Sequence, residues 1–354
     1  MYRKIMSFLE AWKESSHRKP LILQGARQVG KTYSILEFGR THYENVAYFN
    51  FETNPKLNET FNENISPDYL IPILSHIAGQ TIVKEKTLIV FDEVQLCERA
   101  LTSLKYFCED APDYHIIVAG SLLGVAVNRA KFSFPVGKVD MKTLYPMDME
   151  EFMLALGEDA LVKKIKNCFT DNSPMPSALH DAAMQLYRQY LIIGGMPECV
   201  MQFAETKDYI LVRHTQDTIL ASYLNDMSKY NNLNEIKKTR LAYDNITVQL
   251  SKKNTRFQYK LIKKGGRASE FENAIEWLCL SGIVSQVYRA EQIKKPLENY
   301  RDIDAFKIYV SDLGLLCAKK DLAANDILYM VEELNDFKGG MTENYVNVQF
   351  TING

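Results

Sequence analysis

Eight consecutive residues, Gly25-Ala26-Arg27-Gln28-Val29-Gly30-Lys31-Thr32, match G-x-x-x-x-G-K-[ST] at every fixed position. Those residue types in that order suit the gripping of a polyphosphate. Glycines let backbone N–H groups converge on phosphate oxygens, and a helix starting at the loop adds positive potential. Lys31 would reach the β and γ phosphates, and the Thr32 hydroxyl would ligate Mg2+. Further on, Leu88-Ile89-Val90-Phe91 runs straight into Asp92-Glu93. An acid at the tip of an apolar strand lies where ligands collect in open α/β sheets, so Asp92 is the expected partner of Thr32 in holding the metal. Glu93 would face the attacking water and polarise it, which points to ATP hydrolysis with ATP and Mg2+ as cofactors; the plainer alternative is an ion pair with a surface base.

Other side chains are candidates by position. Ser121 ends the apolar run His115-Ile116-Ile117-Val118-Ala119-Gly120 and is either a sensor of the γ-phosphate or an ordinary strand-end cap. Arg129 and Lys138 flank Phe132-Ser133-Phe134-Pro135-Val136-Gly137, and either cation could face a phosphate in its own or a neighbouring subunit. Arg27, inside the loop, is a third such cation or a brace for the loop.

These groups need a scaffold, and the sequence outlines one. Up to about Leu144 short β-rich runs alternate with longer mixed segments, as in a parallel sheet with crossover helices. The candidate strands are Pro20–Gln24, Val46–Phe51, Thr87–Asp92, Tyr114–Ser121 and Gly137–Leu144. Those around Ile22, Ile89 and Ile117 are nearly all apolar, as central strands require. After Pro146 apolar residues recur at helical spacing in Met149–Leu156, Ala182–Ile193, Asp208–Tyr223 and Asn234–Leu250. From Arg256 a short run Phe257–Ile262, a helix Glu270–Leu280 stopped by Gly282, and strands Ile283–Tyr288 and Phe306–Val310 give the outline of a winged helix. The expected fold is therefore α/β: a P-loop NTPase parallel sheet flanked by helices, then a mainly helical region and a winged-helix-like domain. The expected divisions are 1–145, 146–230, 231–320 and 321–354.

Composition excludes several classes. The 42 basic and 44 acidic residues leave a net charge of −2, so the whole molecule has no strong field for nucleic acid or membrane. The longest apolar stretch, Ile116–Val127, contains Gly120, Ser121 and Gly124 and is shorter than the ~20 residues of a membrane span. Glu10 interrupts the N-terminal apolar run before it can act as a signal peptide, so the cytoplasm is expected. Six cysteines without a C-x-x-C pair read as packing residues, and six histidines without H-E-x-x-H offer no metal or triad chemistry. A local field is a different matter. Lys252, Lys253, Arg256, Lys260, Lys263, Lys264 and Arg267 contain no acid among them, and either DNA phosphates or a protein would suit that run. Gly194-Gly195-Met196-Pro197, between helices, is a tight connector or a nucleotide-driven hinge.

Taken together, the chain resembles the bacterial and archaeal AAA-type P-loop ATPases that carry a C-terminal domain of unknown function with a restriction-endonuclease-like fold. The resemblance rests on Gly25 to Thr32, Phe91-Asp92-Glu93-Val94-Gln95, Ala119-Gly120-Ser121, Phe134-Pro135-Val136-Gly137-Lys138-Val139, Leu144-Tyr145-Pro146-Met147 with Glu151-Phe152, and Gly194-Gly195-Met196-Pro197. It continues through Trp277-Leu278, Phe306-Lys307-Ile308-Tyr309, Ser311-Asp312-Leu313-Gly314-Leu315-Leu316 and Thr342-Glu343-Asn344-Tyr345-Val346. It implies an ATP-binding core, a helical lid, a winged-helix segment and the start of a nuclease-like domain; whether the chain forms an oligomer is left open by the sequence. The chain stops at Gly354, so 321–354 reads as a truncated beginning of that domain. Of the acids such a nuclease needs, only Glu343 is a candidate, and no nuclease activity is assigned.

Overall fold

The computed structural model describes residues 1–121, 134–229, 233–251 and 256–354. The chain divides into two compact units, one spanning Arg3–Tyr145, the other Pro146–Gly354 together with Met1–Tyr2.

In the first unit five strands lie parallel: β1 (Leu21–Gln24), β2 (Asn45–Asn50), β3 (Thr87–Asp92), β4 (His115–Gly120) and β5 (Asp140–Thr143), in the spatial order β2-β3-β4-β1-β5. Every residue of β3 and β4 is buried, which is what their uninterrupted apolar runs predict for strands covered on both faces. Helix α1 (Ile5–Glu14) precedes the first strand, and the crossovers between successive strands include α2 (Lys31–His42), α3 (Leu57–Glu63), α4 (Pro67–Ala78) and α5 (Glu98–Asp110). On one side of the sheet Phe91 meets Phe49, Phe51 and Phe61 edge-on, with ring centroids 6.0, 5.8 and 5.5 Å away. Full burial of each ring contributes roughly 2 to 3 kcal/mol, so this cluster fixes the strand that carries Asp92. Because all five strands run the same way, their C-terminal tips share one edge. Register confirms it: Asn50 pairs with Asp92, and Gln24 with both Gly120 and Thr143.

The second unit is largely helical. It holds α6 (Met149–Ala155), α7 (Asp159–Thr170), α8 (Ser177–Ile193), α9 (Pro197–Thr206), α10 (Tyr209–Lys229), α11 (Leu233–Leu250) and α12 (Ala268–Leu280). An antiparallel ribbon of β6 (Val284–Ala290) and β7 (Arg301–Val310) follows, then α13 (Leu313–Lys319), α14 (Ala324–Leu328) and α15 (Asn335–Asn353). The helix expected from Ala182 begins earlier, at Ser177, directly after Pro174 and Pro176. The run Phe257–Ile262 forms a 3-10 turn over Tyr259–Leu261, tied to the ribbon by the Phe257 N–H on the Phe306 carbonyl at 2.7 Å. Asp148 opens α6 with a capping box, accepting from the Glu151 N–H at 2.8 Å.

Candidate nucleotide-binding site

The loop between β1 and α2 is shaped by backbone conformations that few sequences accept. Gly25 has φ +149°, and a Cβ there would lie 2.1 Å from the Leu144 carbonyl oxygen. Gly30, the residue before α2, is left-handed at φ +88°. Gln28 shares that region at φ +66°, where a non-glycine residue costs roughly 1 to 2 kcal/mol. Arg3, 3% exposed, holds the loop in place: its guanidinium donates to the Val29 carbonyl at 3.0 Å and the Tyr145 carbonyl at 2.8 Å. Strain held by buried contacts is expected where a ligand must be gripped.

Lys31 is 7% exposed, and its ammonium donates to the carbonyls of Gly25 at 2.9 Å and Ala26 at 2.8 Å. Burial pushes its pKa down to about 8, opposed by Glu93 and Asp92 and reinforced by Arg27. An anion entering this loop would restore the charge that burial penalises. Thr32, the second residue of α2, donates from Oγ1 to Asp92 Oδ2 at 2.8 Å, so the loop and the tip of β3 meet directly. Asp92 is 4% exposed, and its Oδ1 accepts the Glu93 N–H at 2.9 Å. A hydroxyl and a carboxylate are hard oxygen donors, and Mg2+ takes one or two carboxylates with the remaining positions left to phosphates and water. This donor pair fits such an ion. It does not suit a cage of protein ligands, and no group of three or more His, Cys, Asp or Glu able to hold a metal occurs among the described residues.

Glu93 sits in the left-handed region at φ +52°, which turns its side chain off the strand direction. Its carboxylate accepts from the Gln95 amide, and burial raises its pKa, which strengthens it as a base. Ser121 is buried directly after β4, on the same edge of the sheet.

The candidate cations fare differently. Arg129 lies outside the described residues. Lys138 precedes β5, whose first residue Asp140 pairs with Leu21 at the start of β1, while the phosphate loop begins beyond the other end of β1. At ~3.3 Å per residue that places Lys138 on the wrong edge of the sheet for its own unit's loop, and its ammonium pairs with Glu109 at 2.8 Å. As a cation for that loop it is therefore corrected. Tyr48 and Asn50 on β2, absent from any motif, join the site instead: the phenol donates to Asp92 Oδ2 at 2.8 Å and accepts from Asn50 Nδ2 at 3.2 Å. The signal that would have found them is the pairing of β2 with β3, which the sequence does not spell out. Arg3 was equally silent, being one cation ahead of an amphipathic helix.

Residues 17–153 match the model of the family described as AAA domain. The first unit is an AAA-type P-loop domain. Downstream of it, residues 184–326 match a domain of unknown function, DUF8612, and nothing supports a restriction-endonuclease-like end. No curated protein sequence matches the chain. Among solved structures, the Walker-type ATPase PABY2304 of Pyrococcus abyssi is similar in fold at 14% identity and TM-score 0.55, over 90% of this chain and 95% of that one. The Aeropyrum pernix ORC2 protein matches at 11% identity and TM-score 0.45 (99% and 95%), and Thermotoga maritima RuvB at 14% and 0.37 (80% and 87%). The AAA domain is thus a fold assignment, and what its site does is argued from its own residues. No helix among the described residues is long and apolar enough to cross a membrane.

Proposed function

We propose that the AAA domain binds ATP with Mg2+ and hydrolyses it. In this reading Gly25 to Lys31 hold the phosphates, with Thr32 and Asp92 on the metal. Glu93 orients and deprotonates the attacking water, and Ser121 reports on the γ-phosphate. Held by Thr32 and Asp92, a magnesium ion would neutralise part of the charge on the phosphates. The observation that carries the reading is the 2.8 Å contact from Thr32 Oγ1 to Asp92 Oδ2, which brings the two expected metal-binding oxygens together from segments 60 residues apart. Lys31, itself buried with its ammonium bonded to the Gly25 and Ala26 carbonyls, supports it: burial penalises the ammonium more than the nearby Asp92 and Glu93 charges compensate, which favours an incoming anion. Glu93→Gln should retain ATP binding while phosphate release falls about 10²-fold or more. Unchanged turnover would remove Glu93 from the mechanism.

For the second unit the reading is a nucleotide-gated module, with the lid and winged-helix-like segments as its parts and a protein as its partner. The exposed positions of α12, the helix before the ribbon, include Glu272 and Glu276, whose carboxylates would repel DNA phosphates. The DNA alternative keeps the exposed Arg256, Lys260, Lys264 and Arg267, with Lys263 paired to Glu270 at 3.2 Å; Lys252 and Lys253 lie outside the described residues. If DNA binds there, neutralising those four charges should flatten the slope of log affinity against log salt by up to roughly 4. A slope that does not change retires that alternative.

A further inference from the structure

Three hydrogen bonds converge on the Asp92 carboxylate. Its Oδ2 accepts from Thr32 Oγ1 at 2.8 Å and from the Tyr48 phenol at 2.8 Å, and its Oδ1 accepts the Glu93 N–H at 2.9 Å. With both lone pairs of Oδ2 taken, a cation or a water of its shell can bond that oxygen only when one hydroxyl departs. The two hydroxyls are not equivalent. Thr32 can turn about a single bond and exchange the carboxylate for the metal. Tyr48 is held from behind: Asn50 Nδ2 donates to its oxygen at 3.2 Å, and the Asn50 amide is itself fixed, its Oδ1 accepting the N–H groups of Glu52 at 2.8 Å and Thr53 at 3.0 Å. Departure of the phenol would leave that amide without its acceptor. Departure of Thr32 breaks nothing else.

We propose that Tyr48 is a positioning residue for the metal-binding carboxylate: it keeps Asp92 oriented once Thr32 has turned away from it, and Asn50 keeps Tyr48 in place. The inference rests on the reading of Thr32 and Asp92 as the Mg2+ site. Its consequence is selective. Without a metal Thr32 still anchors Asp92 Oδ2, so loss of the phenol matters little. With a metal, loss of the phenol leaves the carboxylate tethered only by the Glu93 N–H and free to rotate. Partners that orient metal ligands in this way are typically worth about 10- to 100-fold in metal affinity.

The test is ATP affinity by calorimetry, in MgCl2 and in EDTA, for the wild type and for Tyr48→Phe, which keeps the half-exposed ring and removes only the hydroxyl. The gain in affinity conferred by Mg2+ should fall about 10-fold in the variant. Its affinity in EDTA should stay within about twofold and its metal-free melting temperature within about 2 °C, as expected for one half-exposed hydroxyl. Asn50→Ala should lower the same Mg2+ gain by a smaller factor. An equal gain in Tyr48→Phe and wild type overturns the proposal, as does a loss of the same size in EDTA, which would make Tyr48 a structural residue. A wild type that takes up no ATP in either buffer brings down the nucleotide-site reading itself, a result distinguishable from both.

Discussion

Asp92 in the AAA domain and Asp312 in the second unit are both buried acids, 4% and 2% exposed, and they are held by different kinds of donor. Two of the groups on Asp92 are side-chain hydroxyls, Thr32 and Tyr48. Those on Asp312 are backbone N–H groups: Gly195 at 2.6 Å and Leu315 at 2.8 Å, with Gly314 and Met196 also bonded to it. A hydroxyl can rotate to another acceptor or to water. A backbone N–H inside a packed corner cannot, so its loss of a partner carries the full desolvation cost. The packing at Asp312 is correspondingly tight. Gly194 has φ +74°, and a Cβ there would lie 2.2 Å from Asp312 Oδ1. Gly194-Gly195-Met196-Pro197 is thus a corner built around an acid. The comparison teaches that burial alone does not mark a functional carboxylate; whether its donors can leave does.

The sharpest way to break this contrast is to make one substitution at both acids. Asp312→Ala should destabilise the second unit by about 3 to 5 kcal/mol, because several buried N–H groups lose their acceptor. Asp92→Ala should change the stability of the AAA domain by no more than about 1 kcal/mol, since Thr32 can turn to water and the half-exposed Tyr48 phenol is reached by water where it stands. The two tryptophans allow each unit to be followed alone: Trp12 is buried in the first and Trp277 in the second. Urea unfolding monitored by fluorescence in Trp12→Phe and Trp277→Phe backgrounds, each compared with its own parent, gives both numbers. Equal losses at the two acids would remove the distinction.

A smaller effect separates the units by pH. Burial pushes Asp312 up to about 6 from an ordinary aspartate value of 3.8. An acid raised on folding stabilises most when protonated, so that contribution fades as pH rises through 6, by about 1 kcal/mol between pH 5 and 7. His115 in β4 behaves oppositely: burial, with Arg18 and Lys13 nearby, lowers it from 6.5 to about 4. A histidine depressed on folding stabilises while neutral, above about pH 6.5, and that stability is lost as pH falls, by about 2 kcal/mol at pH 5. Between pH 5 and 7 the Trp12 signal should therefore report rising stability and the Trp277 signal a decline. His115→Gln should flatten the first slope; slopes of the same sign would contradict the assignment.

The smallest effect sharpens the boundary of the site. Lys138→Ala should leave ATP affinity unchanged and cost at most about 0.5 kcal/mol, the usual value of an exposed pair such as Lys138 with Glu109. A tenfold loss of affinity would return Lys138 to the site.

The parts of this molecule that were legible in the sequence are those whose physics is local. The buried strand Thr87–Asp92 shows as an apolar run ending in acids, and the loop from Gly25 to Thr32 carries its own conformational requirements. Lys138, left open for its own or a neighbouring subunit, falls away for its own loop once the register of β5 with β1 sets it at the edge opposite the strand tips, a placement that residue type and neighbours do not give. Tyr48 was silent because only the pairing of Asn50 with Asp92 brings β2 to the site. The Gly194 corner was visible as a turn, yet its reason, Asp312, lies 117 residues away from Gly195 along the chain. What a residue does across strands or between distant loops emerges only with the fold.

The central claim is that Asp92, from which the Thr32 hydroxyl can turn away, receives a divalent ion beside a triphosphate gripped by the loop before α2. The most direct measurement is calorimetric titration of ATP into the wild type and Asp92→Asn, with Mg2+ and with EDTA. The account predicts uptake by both proteins in EDTA and, in the variant, loss of about 10-fold or more of the affinity that Mg2+ adds. Folded wild type that takes up no ATP, or a variant that keeps the whole Mg2+ gain, would contradict it.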